Sequence, residues 1–166
     1  MEIGLMLLRL VVGLTVTAHG AQKLFGIFGG DGIAGTGQFF DSIGFRPGRV
    51  MATVAGLAEG LGGLAFALGL LTPLASAAIL ATMAVAIWGV HFDKGFFAQE
   101  GGYEYPLVIG AVALSVAFTG AGSLSVDGWL GLPLAGAEWG VAALGFGLAG
   151  ALPPLVARAA VTRQHA

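Results

Sequence analysis

Residues 60–92 read GLGGLAFALGLLTPLASAAILATMAVAIWGVHF, a run of 33 positions without Asp, Glu, Lys or Arg. As one helix this run would be about 50 Å long, whereas the hydrocarbon core of a bilayer is about 30 Å thick. Pro73 is the natural place for the chain to fold back, because proline ends a helix and restricts the residue before it. The run therefore predicts two transmembrane helices, one ending near Leu70 and one covering about 74–91.

The composition extends this prediction to the whole chain. Of its 166 residues, 57% are hydrophobic and 10% are charged, and the mean hydropathy is +0.90. Soluble domains have roughly 45–50% apolar and 25% charged residues, and a chain of this size could not bury the excess in a core. A soluble domain is therefore excluded. The net charge of −2 provides no basic surface for nucleic acid, and the absence of cysteine excludes thiolate chemistry for this chain alone.

Three further spans follow from the same counting, at about 3–22, 105–120 and 139–157. The span that ends near Leu70 must begin near Arg49, which draws Glu59 into the membrane. The alternative is a shorter helix with Glu59 at the interface, but Pro73 would then lie inside a helix. We expect an all-α transmembrane four-helix bundle with a fifth C-terminal transmembrane helix, forming a single integral membrane domain over 1–166 with a core at 1–127 and an extension at 128–166.

The basic residues indicate how the bundle is oriented. Connecting the spans in order places six of the seven Lys and Arg residues on one side, namely Lys23, Arg46, Arg49, Lys94, Arg158 and Arg163. The positive-inside rule makes this side cytoplasmic, so we expect a plasma-membrane protein with its N-terminus outside and its C-terminus in the cytoplasm. The first span has no basic n-region and is expected to be retained rather than cleaved as a signal peptide.

The segment 23–49 is rich in glycine but is not a phosphate-binding loop, because no strand precedes it and no Gly-Lys-Ser/Thr follows. We expect its glycines to form a flexible turn. The turn is followed by a short interfacial helix with Phe39, Phe40 and Ile43 on one face.

Two charged residues are predicted to lie inside the bilayer. Glu59 has Ala55, Gly56, Gly62 and Gly63 one turn away, which are small residues that let helices pack closely. Glu59 should therefore face the bundle, where Arg9 of the first span could reach it. We expect an Arg9–Glu59 ion pair that fixes the register of two helices, with a proton-relay or ligand-orienting role for Glu59 as the alternative.

A polar cluster is predicted at the cytoplasmic ends of the helices. Each member has an ordinary structural explanation, such as an interfacial tyrosine or a snorkelling lysine, but their convergence favours a site that binds and protonates a polar headgroup. No local metal-binding motif is present, so no metal is expected. The predicted ligand-binding residues are His19, Gln22, Lys23, His91, Glu104 and Tyr105.

The chain resembles the DoxX family of small bacterial membrane proteins over about residues 5–127. The resemblance rests on separated motifs in the right order: LRL at 8–10, HGAQKL at 19–24, GLAEGLGG at 56–63, His91 with GFF at 95–97, GGYEYP at 101–106 and the closing stretch 120–127. It implies a four-helix membrane bundle, so that the fifth span is an extension. The polar residues that carry the resemblance are Arg9, His19, Lys23, Glu59, His91, Glu104 and Tyr105.

The resemblance further implies a link to quinone-dependent redox or sulfur-handling assemblies. The leading hypothesis is a redox-associated subunit that binds a quinone-like ligand near the cytoplasmic interface. In it, His19 and His91 contact the ligand's oxygens, Glu104 orients a histidine and Lys23 offsets negative charge. The expected partners are the lipid bilayer, redox or sulfur-metabolism proteins that supply electrons, and a second copy of the chain. The alternatives are a non-enzymatic scaffold that recruits soluble enzymes and a small-solute or lipid transporter.

Overall fold

The computed structural model describes residues 1–163; residues 164–166 of the predicted 1–166 domain lie outside it. The regular structure of the described residues is helical. The α-helices are α1 (Glu2–Phe25), α2 (Gly32–Ser42), α3 (Gly48–Leu68), α4 (Thr72–Ala86), α5 (Glu104–Thr119), α6 (Val126–Trp129) and α7 (Ala137–Arg163). The α4 helix continues through a π-helical turn, Ile87–His91, and a 3₁₀ turn, Phe92–Lys94.

Four helices are long and apolar enough to cross a membrane: α1, α3, Thr72–Lys94 and α7. The α5 helix is equally apolar but has 16 residues, which corresponds to about 24 Å. All five predicted spans coincide with these helices, and the predicted all-α transmembrane bundle is confirmed. The fold-back at Pro73 is also where it was expected, because Gly69 ends α3 in the left-handed region and Pro73 lies in the first turn of α4.

The bundle has two chemically different ends. At the basic end, α1 finishes, α3 begins and the six residues named above as cytoplasmic are found. At the acidic end, α3 turns into α4, and the acidic residues at this end are Glu2, Asp127 and Glu138. Across the bundle α1 packs on α3, α3 on α4, and α4 on both α5 and α7.

The α1 and α3 helices are in close contact because glycines meet at their interface. A Cβ atom on Gly13 would lie 2.5 Å from the Gly63 carbonyl oxygen and 2.6 Å from the Ala67 nitrogen. One Cβ on Gly20 would lie 2.7 Å from the Gly56 carbonyl oxygen. This register, with Gly13 opposite Gly63 and Gly20 opposite Gly56, determines which charged residues can meet.

The glycine-rich segment differs in part from the prediction. Gly35 and Gly37 belong to α2 rather than to a flexible turn, so the interfacial helix is longer than expected. Gly37 is buried because α2 packs there against Arg49 at the start of α3. The Asp41 side chain accepts a hydrogen bond of 2.8 Å from the Gly48 N–H and so holds α2 to the first turn of α3.

Candidate functional site

The predicted Arg9–Glu59 ion pair is not formed. With Gly13 opposite Gly63, Arg9 lies at the level of Gly69, whereas Glu59 lies at the level of the last turns of α1. The ten residues between positions 59 and 69 correspond to about 15 Å along the helix axis. The prediction relied on an extended Arg9 side chain to cover the axial distance to Glu59, but that side chain is directed toward Gly69 and Leu124, away from Glu59.

Arg9 instead joins α1 to the acidic end of the bundle. Its side chain is fully buried, and Nη2 donates a hydrogen bond of 2.5 Å to the Leu124 carbonyl. The guanidinium packs directly on Gly69, where a Cβ atom would overlap it. Because Gly69 follows the last residue of α3, the cation lies at the negative end of that helix dipole.

Asp127 is a buried charged residue that is not among the site residues predicted from the sequence. Its carboxylate accepts hydrogen bonds from the Leu71 N–H at 2.7 Å, the Thr72 N–H at 2.9 Å and the Thr72 hydroxyl at 2.6 Å. It thereby caps the first turn of α4 with a side chain that is 55 residues away in sequence. The only signal for this role was its position at the end of the 120–127 stretch.

Glu59 forms its ion pair with Lys23. The Lys23 Nζ atom lies 2.5 Å from Glu59 Oε2, and the side chains are 22% and 8% exposed respectively. Gly56, one turn from Glu59, lets the end of α1 approach closely enough for this pairing, since a Cβ there would be 3.3 Å from that of Lys23. As predicted, Glu59 faces the bundle, but its partner is at the opposite end of α1 from the expected one.

The ion pair forms part of the wall of a cavity of about 330 Å³. The cavity lies between α2, α3, α4 and α7, toward the basic end. Four of its lining residues, Lys23, Glu59, Thr82 and His91, carry polar side chains. The others are Phe39, Phe40, Phe45, Met51, Val54, Ala55, Ala58, Ala81, Val85, Ala86, Val90, Gly150 and Pro154. Such a mostly apolar cavity with a few polar groups is typical of small-molecule sites.

His91 is held in a defined orientation at this wall. Its Nδ1 atom lies 2.6 Å from the Gly101 carbonyl oxygen. A carbonyl can only accept, so Nδ1 carries the proton and Nε2 of the neutral ring is an acceptor. His91 ends the π-helical turn of α4, a local irregularity that is frequent at functional sites.

A second, more polar cavity of about 260 Å³ lies beside the first. It shares Lys23, Phe39 and Phe40 with the apolar cavity. Its remaining lining residues are Gln22, Gly29, Gly30, Asp31 and Thr36, all at the basic end. Lys23 therefore stands between an apolar and a polar cavity.

Three of the other predicted site residues, His19, Gln22 and Tyr105, are joined by hydrogen bonds. His19 Nδ1 lies 3.0 Å from Gln22 Oε1, and His19 Nε2 lies 3.3 Å from the Tyr105 hydroxyl, which links α1 to α5. Glu104 does not orient a histidine; its carboxylate accepts a hydrogen bond of 2.9 Å from the Ala98 N–H. The predicted cluster is thus divided, with Lys23 and His91 at the apolar cavity and His19, Gln22 and Tyr105 in a hydrogen-bonded chain. In residues 1–163 no group of three or more acidic or histidine side chains is placed to hold a metal ion.

Comparison with known proteins identifies the family. Residues 4–92 match the DoxX family. A Bacillus subtilis (strain 168) protein named "Putative oxidoreductase CatD" is 32% identical over 126 residues, which cover 76% of this chain and 86% of that protein. No solved structure matches the chain. The matched residues include Arg9, Lys23, Glu59 and His91, and the chain, a multi-pass membrane protein, belongs to the DoxX family.

Proposed function

We propose that this protein is a redox-associated membrane subunit that binds a quinone-like, lipid-soluble ligand in the apolar cavity. The observation that carries the proposal is the placement of the Lys23–Glu59 ion pair and the oriented His91 on an otherwise apolar wall. An apolar body fits such a cavity, and a polar head fits its polar edge. The oxidoreductase name of the related protein supports the redox part of the proposal.

The surroundings of the cavity support entry from the bilayer. Val54 lines the cavity and is also 57% exposed on the outer face of α3. Gly150 and Pro154 of α7 line the opposite side. A lipid-soluble molecule can therefore reach the cavity between α3 and α7 without crossing the aqueous phase.

The polar wall can bind and protonate an oxygen-bearing ring. Lys23 has three N–H donors, of which one is used by Glu59, so two can reach a ligand oxygen. His91 offers Nε2 for proton exchange, and Glu59 keeps the ammonium group in place. The polar cavity beside Lys23 provides a route for protons from the basic end. In this proposal, electrons come from a partner protein or from a second substrate.

The orientation in the membrane is part of the proposal. Six of the seven Lys and Arg residues are found at the basic end, which favours a cytoplasmic location for that end by the positive-inside rule. The N-terminus is then outside and the C-terminus inside a plasma membrane. The ligand's polar head would face the cytoplasmic half of the bilayer.

The proposal is tested by titrating nanodisc-reconstituted protein with a decyl-substituted benzoquinone. We expect saturable binding that is about tenfold weaker when Lys23→Met is combined with Glu59→Gln, because a charge-assisted hydrogen bond contributes about 1.5–3 kcal/mol. Lys94→Met is the matched control, since Lys94 is exposed at the same end and does not line the cavity. Equal affinity of the double variant and the wild type, or no binding at all, would contradict the proposal.

A further inference from the structure

The α7 helix contains two adjacent prolines, Pro153 and Pro154, and continues past them to Arg163. Proline has no N–H group, so the usual hydrogen bond from position 154 to the carbonyl of position 150 cannot form. The carbonyl of Gly150 therefore lacks its normal helical donor. The same reasoning applies to Pro153 and the carbonyl of Ala149.

The two interrupted positions differ in what they face. Gly150 and Pro154 both line the apolar cavity, whereas Pro153 is exposed and neither Pro153 nor Ala149 belongs to the lining. Gly150 has no side chain, so everything that it presents to the cavity is main chain. A carbonyl in a helix points toward the residue four positions later, which here is Pro154. The carbonyl oxygen of Gly150 is thus an acceptor at the cavity wall.

The other polar groups of the wall also accept hydrogen bonds. With Nδ1 bound to the Gly101 carbonyl, the uncharged form of His91 accepts at Nε2, and the Glu59 carboxylate can accept from a ligand as well as from Lys23. The Thr82 hydroxyl uses its hydrogen on carbonyls of its own helix, at 3.0 Å and 3.2 Å, which leaves lone pairs. Among the lining side chains, Lys23 is the one that must act as a donor.

From this excess of acceptors we propose that the cavity selects the reduced, hydroxyl-bearing form of its ligand, with the Gly150 carbonyl binding one hydroxyl group. This inference rests on the proposed function and specifies which redox form of the ligand is bound. A quinone offers only acceptor oxygens, whereas each hydroxyl of a quinol donates one hydrogen bond. A wall with several acceptors facing a quinone leaves them unpaired, and unpaired buried polar groups are costly.

The test compares three probes on the full-length protein in nanodiscs under anaerobic conditions: a decyl-substituted benzoquinone, its quinol and the dimethyl ether of that quinol. The wild type is expected to bind the quinol about tenfold more tightly than the quinone or the ether. Pro154→Ala restores an N–H beside Gly150 and should weaken quinol binding about fivefold while leaving quinone binding unchanged. Pro153→Ala restores an N–H outside the cavity and should change neither affinity.

The outcomes separate the two proposals. If the wild type binds none of the probes, both are overturned. If it binds the quinone and the quinol equally, or if Pro154→Ala keeps the wild-type preference, only the selection of the reduced form is overturned. The comparison of quinol with its ether on the wild type needs no variant, so it decides the question even if Pro154→Ala does not fold.

Discussion

The two ends of this bundle both bury charged residues but use them differently. At the acidic end, the Asp127 carboxylate accepts hydrogen bonds from the main chain of the α3–α4 turn, and Arg9 packs on Gly69. At the basic end, Lys23 and Glu59 bind each other beside a cavity of about 330 Å³ and keep unused hydrogen-bonding capacity. A buried charge that is bound to the main chain stabilises the fold, whereas one that faces a cavity can bind a ligand.

The strongest test of this difference is Asp127→Ala at the acidic end. It leaves three donors without their acceptor in a site that is 3% exposed. We expect the free energy of unfolding to fall by about 4 kcal/mol, since each unsatisfied buried donor costs about 1–3 kcal/mol. The measurement is denaturation in mixed detergent micelles. Asp93→Ala, at an exposed position, is the control and should change the free energy of unfolding little. An equally small effect of Asp127→Ala would contradict the capping role of Asp127.

A second test addresses the register that separates the two ends. Gly13→Ala places a methyl group where the Gly63 carbonyl oxygen would be 2.5 Å away, so α1 and α3 must move apart. Overpacking of this kind costs about 1–3 kcal/mol, and we expect about 2 kcal/mol in the same denaturation experiment. Gly4→Ala on the same helix has nothing within 4 Å and should not be destabilising. If both variants behave alike, close glycine contacts do not set the register.

The smallest effect on stability is expected at the basic end, for the combined Lys23→Met and Glu59→Gln variant. Replacing both members of a buried ion pair removes the desolvation cost together with the attraction, so the free energy of unfolding should change by about 1 kcal/mol or less. The same protein should lose ligand affinity, as described above. A loss of stability comparable to that of Asp127→Ala would place this ion pair in the same structural class as the acidic end.

The spans could be predicted from the sequence because counting charges and locating Pro73 needs no tertiary information. The partners of the buried charges could not. Whether Arg9 meets Glu59 depends on the direction that the Arg9 side chain takes between the helices, and it lies at the level of Gly69, about 15 Å along the helix axis from Glu59. Asp127 was missed for a similar reason, since its three donors lie 55 or 56 residues away.

The candidate site was predicted in part. Lys23 and His91 were expected to belong to it and do line the cavity. Glu104 was expected to orient a histidine, but the Gly101 carbonyl orients His91 instead. A contact to a main-chain carbonyl cannot be predicted from a pattern of side chains. The contribution of Gly150 and Pro154 to the cavity could not be predicted from the sequence either, because the packing of the whole bundle brings α7 to the cavity.

The position of α7 in the chain has a consequence for how such proteins diversify. The matched family region ends at residue 92, whereas α7 begins at Ala137 and still supplies one side of the cavity. The tightly packed α1–α3 pair and the wall built by α7 are therefore encoded far apart. Substitutions in α7 can therefore change the shape of the cavity while the α1–α3 interface stays as it is.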